Sequence, residues 1–252
     1  MNNREFSNEF DTLVNSYRRF RSHDNREPQP QDTLEFDEYE KSLYLTNSQE
    51  ETVLSLYTGR NSSLQSFEET EELRRYLSPL IDEAELQPIE NSSGKPIGID
   101  KKGKKTAFFT LPENLWFITY EGVNISDGKC EDASSLQVVP VTQDEYHRVR
   151  KNPFRGTNSR RALRLDLPDN MVEIVSNYTV TSYYIRYMKK LKPIVLEDMP
   201  DGLSVEGVQE ETPCEVHKSL HRRILERAVE LAMLSKYGIA SRQNRNTQGQ
   251  ER

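Results

Sequence analysis

Apolar residues near the start of the chain recur at helical spacing. They are Phe6, Phe10, Leu13, Val14, Tyr17 and Phe20. Positions separated by three or four residues share one face of a helix, so this pattern predicts an amphipathic helix. The polar stretch 22–32 contains two prolines and predicts a linker after that helix.

Further helices are predicted up to residue 86. A second helix is expected over 34–44, and segments 46–49 and 66–69 have the pattern of a capping box, in which two side chains satisfy free backbone donors. The first of these boxes would open a helix that Gly59 ends, and the second would open a helix that buries Leu73 and Leu77. Residues 1–86 are therefore predicted to form a helical N-terminal unit.

The pattern changes after this unit. Residues 87–106 are polar and rich in glycine, which predicts a linker or a hairpin tip. Aromatic and β-branched residues then dominate the runs 108–120, 138–141 and 179–188, which predict strands. Residues 168–170 are turn-forming and predict a hairpin, and a third capping box at 142–145 predicts a short helix over 143–150.

The last apolar segment predicts a long amphipathic helix. Its apolar positions are Leu220, Ile224, Leu225, Ala228, Val229, Leu231, Ala232 and Met233. Two starts are compatible with the sequence, one at Thr212-Pro213 and one near His217. We expect this helix to close a β-rich domain over 107–238, followed by a flexible tail over 239–252. The predicted fold class is α+β, with a central, mostly antiparallel sheet.

Composition limits the classes of function. The chain has 34 basic and 41 acidic residues, a formal net charge of −7, which disfavours tight binding of nucleic acid. Only 34% of residues are hydrophobic, so neighbouring subunits are expected to supply part of the burial. Cys130 and Cys214 are far apart and predict no disulfide framework. No signal peptide or membrane-spanning run is present in the sequence, so we expect synthesis in the cytoplasm.

The sequence offers few groups for catalysis. Cys214, His217 and His221 have a spacing that a metal could use, but a zinc protease would need a glutamate where Lys218 stands. We favour the interpretation that the two histidines are ordinary, half-exposed side chains. We therefore expect no metal, no cofactor and no enzymatic activity. A metal-dependent enzyme remains the alternative that bound zinc would favour.

Nucleic-acid binding is a second alternative. The lysines of 101–105 suit phosphate, and the tyrosines of 178–187 suit stacking on bases, as in an accessory or cargo protein. Tyrosine is also common in strands and at protein interfaces, and this is the preferred interpretation. The residues predicted to lie in the core or at an interface are Leu220, Ile224, Ala228, Leu231, Tyr184, Tyr187 and Trp116.

Several segments together resemble one family of virion proteins, found in crAss-like tailed bacteriophages. The similar segments are 37–50, 67–76, 139–146, 152–154, 184–187, 193–194 and 220–232. They occur in the same order as in that family and span the chain from about Phe6 to Ala232. None of them contains a catalytic motif.

The resemblance implies a structural subunit of a head-to-tail connector ring. Such subunits form a closed, dodecameric ring between the portal protein and the other tail or neck proteins. Genome DNA then passes through the lumen without specific binding. The implied location is the neck or tail of the virion, and the host cytoplasm during assembly.

Overall fold

The computed structural model describes residues 1–21, 35–59, 70–89, 104–126 and 134–248. The helices are α1 (Asn3–Arg21), α2 (Glu38–Thr58), α3 (Glu71–Leu77), α4 (Gln143–Val149) and α5 (Lys218–Gln248). The strands are β1 (Ile81–Leu86), β2 (Lys105–Thr110), β3 (Leu115–Ser126), β4 (Ser134–Pro140), β5 (Arg161–Asp166), β6 (Met171–Ser176) and β7 (Thr179–Lys189). The α+β class is confirmed.

The chain forms two compact units. A helical unit combines Met1–Leu80 with Leu191–Arg252, and a sheet unit contains Ile81–Lys190. The predicted division instead joined the C-terminal helix to the β-rich domain. The structure differs because the apolar residues of α5 pack within the helical unit, where Leu220, Ile224 and Ala228 are buried.

All seven described strands of the sheet unit form one sheet, in the order β1-β7-β3-β4-β5-β6-β2. Neighbouring strands are antiparallel, except that β4 and β5 pair in parallel and are joined by α4. The predicted hairpin is confirmed between β5 and β6. Its turn holds Asp169 at φ 59° and Asn170 at φ 53°, left-handed conformations that short polar side chains tolerate.

The sheet curls around its own core. Ile89, just beyond edge strand β1, pairs with Phe108 of the opposite edge strand β2. The ring centroids of Phe109 and Tyr183 lie 5.3 Å apart inside the curl. On the outside, α4 places Tyr146 against a smaller cluster that contains Leu163, Leu165 and Val175. The predicted start of α4 is confirmed, since Thr142 is its N-cap and the Thr142 hydroxyl accepts a hydrogen bond from the Glu145 N–H at 3.3 Å.

An extended segment, 192–196, runs among the helices of the helical unit, and its residues 193–196 are buried. Ile194 and Val195 have no exposed surface. Val195 exchanges two backbone hydrogen bonds with Thr212, of 3.1 and 3.0 Å. Its carbonyl also accepts a bond from the Asn3 amide at 2.9 Å.

Side chains of α2 complete the hydrogen bonding of this segment. The Ser42 hydroxyl accepts from the Leu196 N–H at 3.1 Å, and the Thr46 hydroxyl accepts from the Ile194 N–H at 3.0 Å. The Gln49 amide donates to the Lys192 carbonyl at 2.9 Å. Buried backbone groups without partners destabilise a fold, so these side chains make burial of the segment possible.

The helix boundary predicted at 46–49 is wrong. Helix α2 continues from Glu38 to Thr58, with Asp37 as its N-cap and Gly59 as its left-handed C-cap. Thr46 and Gln49 resemble a capping box in sequence, but their side chains bind the buried segment instead. The predicted end of this helix at Gly59 is correct.

Two other boundaries differ from the prediction. Helix α3 begins at Glu71, with the Thr70 hydroxyl as its cap, whereas Ser66 lies outside the described residues. Residues 81–86, predicted as part of the helical unit, form strand β1. Their acidic composition does not favour a strand, but pairing with β7 along all six residues outweighs this weak local preference.

The C-terminal helix begins near His217, one of the two predicted starts, and it is longer than expected. Helix α5 continues to Gln248, into the segment predicted as a tail. Residues 239–248 contain no glycine or proline, and Gly249 follows directly. The absence of helix-breaking residues is consistent with this extension. The predicted linker at 22–32 and most of the predicted tip at 87–106 lie outside the described residues.

We predict that Thr46→Val destabilises the helical unit by about 1–3 kcal/mol, because it leaves the buried Ile194 N–H without an acceptor. Valine has nearly the same shape as threonine, so packing changes little. The matched control is Thr58→Val in the same helix, where the lost hydroxyl is exposed and bonds only the Leu54 carbonyl. Urea unfolding followed by circular dichroism measures both, and equal stabilities for the two variants would contradict the role of Thr46.

Candidate interaction surfaces

The apolar residues predicted on α5 divide between core and surface. Leu220, Ile224 and Ala228 are buried within the helical unit. Leu231 is half-buried, and Leu234 has 59% of its surface exposed. The helix therefore uses its first turns to pack against its own unit, and its later turns present apolar surface to the outside.

Aromatic residues lie on the outer face of the curled sheet. Tyr184 is half-buried, and its ring packs edge-on against that of Tyr120, with centroids 6.1 Å apart. Tyr120 has 56% of its surface exposed. A hydrogen bond to Glu83 raises the pKa of Tyr184 above its ordinary value. Exposed tyrosine pairs of this kind are typical of protein interfaces.

Two other predicted residues have different surroundings. Trp116 is half-buried and its ring stacks on that of Phe117, with centroids 4.9 Å apart. Tyr187 points into the sheet core, where burial raises its pKa and its hydroxyl donates to Asn114 at 3.2 Å. The tyrosines of β7 therefore serve two purposes, since alternate positions of a strand face opposite sides of the sheet.

A charged cluster lies inside the sheet unit. One carboxylate oxygen of Glu121 accepts hydrogen bonds from the Tyr183 hydroxyl at 2.6 Å and from the Arg164 guanidinium at 2.9 Å. Burial and the neighbouring Glu121 carboxylate raise the pKa of Tyr183 far above its ordinary value. Arg164 also binds Asp166 at 2.9 Å. These charges are paired with one another, as a stable interior requires.

The residues with metal-ligand spacing do not converge. The Cys214 thiol donates to Gln49 at 3.1 Å, and burial raises its pKa to about 11. His221 is buried, with Nε2 2.9 Å from the Val216 carbonyl and Nδ1 2.7 Å from the Met1 amine nitrogen. Burial disfavours the charged imidazolium and lowers the pKa of His221 below its ordinary value. The His217 ring instead stacks on Tyr76.

The lysine run predicted as a phosphate-binding candidate is partly described. The Lys104 ammonium donates to Asn177 at 2.6 Å, and the Lys105 ammonium donates to Thr179 at 2.7 Å. Lys101 and Lys102 lie outside the described residues. Across the described ranges, no group of three or more His, Cys, Asp or Glu side chains is arranged to hold a metal ion, and no helix is long and apolar enough to cross a membrane.

Sequence reasoning missed one exposed aromatic side chain. Phe154 has 83% of its surface exposed, and it is not among the residues predicted to lie in the core or at an interface. A single aromatic residue in a turn can be buried or exposed, so its apolar character alone does not predict which. The positive charges on both sides of it are the signal that was available.

Comparisons with known proteins identify the family to which the chain belongs. The model of the family described as Phage tail ring protein 3/4 matches residues 1–244. Ring protein 3 of Bacteroides phage crAss001 is 44% identical over 239 residues, which cover 94% of this chain and 96% of that protein. Ring protein 4/5 of the same phage is 30% identical over 247 residues, which cover 94% of each chain. The resemblance noted in the sequence is thus confirmed, and the chain belongs to the phage tail ring protein 3/4 family.

Proposed function

We propose that this chain is a non-enzymatic subunit of a head-to-tail connector ring, the adaptor between the portal protein and the tail. The observation that carries the proposal is the match of nearly the whole chain to a family of phage ring proteins. Because the match covers both compact units, the ring function is assigned to the whole chain.

The distribution of exposed apolar groups supports assembly into a ring. A closed ring of identical copies uses two different, complementary faces of each subunit. The sheet unit carries the exposed Tyr120 and the half-buried Tyr184 and Trp116, and the helical unit carries the exposed Leu234 and the half-buried Leu231 on α5. We propose that both sets contribute to contacts with neighbouring copies in a dodecamer.

The charge of the chain supports passage of DNA without specific binding. A net charge of −7 repels phosphate, so a lumen formed by such subunits does not retain the genome. The direct neighbours in this proposal are the portal protein and other tail or neck proteins. Assembly takes place in the host cytoplasm, and the protein leaves as part of the virion.

The side chains with reactive or titratable groups in the interior have structural partners. His221, Cys214 and Glu121 each have a hydrogen-bonding partner within their own unit. This arrangement supports a function performed by surfaces and not by a reaction centre.

Electron cryo-microscopy of purified particles tests the location of the protein. We expect a ring of this chain in the neck, between portal and tail, with both units resolved in each copy. Absence of the chain from mature particles, or density confined to the capsid interior as for a cargo protein, would contradict the proposal.

We predict that Ile224→Asp unfolds the helical unit, because it buries a carboxylate without a partner, at a cost of several kcal/mol. The matched variant Leu234→Asp lies on the same helix in an exposed position, and we expect it to remain folded but to assemble poorly. Circular dichroism measures folding, and size-exclusion chromatography with light scattering measures assembly. If the Leu234 variant forms normal rings, the exposed apolar surface of α5 does not take part in the subunit contacts.

We also propose that the end of α5 docks on an adjacent virion protein. Deleting residues 241–252 is then expected to leave the fold and the ring intact and to abolish attachment of the next component. Particle assembly with the truncated chain, examined by negative-stain electron microscopy, measures this. Complete particles assembled from the truncated chain would refute the docking role.

A further inference from the structure

A basic loop joins α4 to β5 and includes the last turn of α4 and the first residue of β5. We define it as residues 147–161, which contain six arginine or lysine residues and no acidic residue. Arg148, Lys151, Arg155 and Arg160 are exposed, and they form no ion pair with any described residue. Phe154 projects from the same loop with 83% of its surface exposed.

The backbone of the basic loop is fixed by its own hydrogen bonds. The Asn152 side chain accepts bonds from the Phe154 and Arg155 N–H groups, at 2.8 and 3.2 Å. The Arg161 guanidinium donates to the Phe154 carbonyl at 2.6 Å. Gly156 is buried so tightly that an added Cβ would lie 2.8 Å from the Asn152 carbonyl oxygen. The loop thus presents Phe154 at a defined position, and little conformational entropy is lost when it binds.

Lys104 extends the positive surface. Its ammonium donates to the Asn177 side-chain oxygen at 2.6 Å, and the Thr157 hydroxyl donates to the same oxygen at 2.9 Å. Lys104, which directly precedes β2, and Thr157 of the basic loop therefore meet at Asn177 on the sheet unit.

The helical unit carries a loop of opposite charge. We define the acidic loop as residues 197–211, which contain six acidic residues and no lysine or arginine. All six acidic side chains are exposed, and none forms an ion pair with a described residue. The loop also exposes Leu203, with 40% of its surface accessible.

Turns fix the acidic loop as well. Val205 and Val208 exchange two backbone hydrogen bonds of 3.0 Å around Glu206 and Gly207, which have φ values of 50° and 85°. Val205 itself is fully buried. Both loops are therefore rigid, carry opposite charges and expose one large apolar side chain each.

We propose that the basic loop of one copy docks on the acidic loop of the next copy around the ring, with Phe154 packed against Leu203. The inference rests on the proposed ring function and specifies one of its subunit contacts. Such a contact is heterologous, because each copy offers its basic loop to one neighbour and its acidic loop to the other. An aromatic anchor surrounded by arginine is typical of the energetic centre of a protein interface.

The same observations favour a protein partner over DNA. Duplex DNA offers phosphates to the arginines, but Phe154 would find apolar surface there only at thymine methyl groups in the major groove or by unstacking a base step, which costs a few kcal/mol. The acidic loop offers both charge and an apolar side chain. The net charge of the chain also opposes close approach of DNA.

Charge exchange tests the contact in the full-length chain. One variant combines Arg155→Glu with Arg160→Glu, and the second combines Asp201→Arg with Glu210→Arg. Each variant alone is expected to weaken self-association at least about tenfold in sedimentation velocity, because like charges then face each other. An equimolar mixture of the two should recover wild-type association to within about threefold, since every contact in an alternating ring is again complementary.

Controls separate this contact from general effects. The variant Arg4→Glu with Arg74→Glu lowers the net charge by the same amount as the Arg155/Arg160 variant, but at exposed sites on helices. We expect it to associate like the wild type. Phe154→Ser should weaken association without changing the thermal unfolding temperature. The loop contact would be overturned if the wild type forms rings and neither charge-reversed variant loses self-association. It would also be overturned if mixing the two variants does not restore self-association. In both cases the ring function would still stand.

Two further results would also overturn the proposal. A wild-type chain that never self-associates, in solution or in particles, would overturn both the contact and the ring function. Duplex DNA retention that disappears in the Arg155/Arg160 variant while its self-association is unchanged would assign the basic loop to DNA.

Discussion

Burial of residues 193–196 of one extended segment organises the helical unit. A backbone in the interior needs a partner for every N–H and carbonyl group, and here side chains of α2 and α1 supply several of those partners. This requirement explains why α2 carries Ser42, Thr46 and Gln49 on a buried face. It also explains why the chain after the sheet returns to the N-terminal helices, so that α5 belongs with α1 and α2.

Buried polar groups are paired in the sheet unit as well. The sheet curls until Ile89 pairs with the opposite edge strand, and the Glu121–Arg164–Tyr183 cluster pairs its own charges inside. Interior polar groups with satisfied partners make the sheet unit rigid. The features available to other molecules are therefore on the surface: two loops of opposite charge, a face with exposed tyrosine and the later turns of α5.

Local signals in the sequence predicted the elements whose stability is local. Helix α1 follows from its apolar spacing, α4 from the Thr142 cap, and the β5–β6 hairpin from its turn residues. The continuity of α2 was missed because Thr46 binds a residue 148 positions away. Strand β1 was missed because it is stabilised by pairing with β7, whose residues are about 100 positions later in the sequence. Burial of Ile224 could be predicted from periodicity, whereas exposure of Phe154 could not, because it depends on the tertiary fold.

The central claim is that identical copies of this chain close into a ring through two different faces. Native mass spectrometry of the assembled full-length protein measures this most directly. The account predicts one discrete species whose mass is a fixed integer multiple, twelve in the proposed ring, of the 29.4 kDa chain. A protein that remains monomeric in the presence of its neighbours, or a ladder of masses from an open-ended polymer, would contradict it.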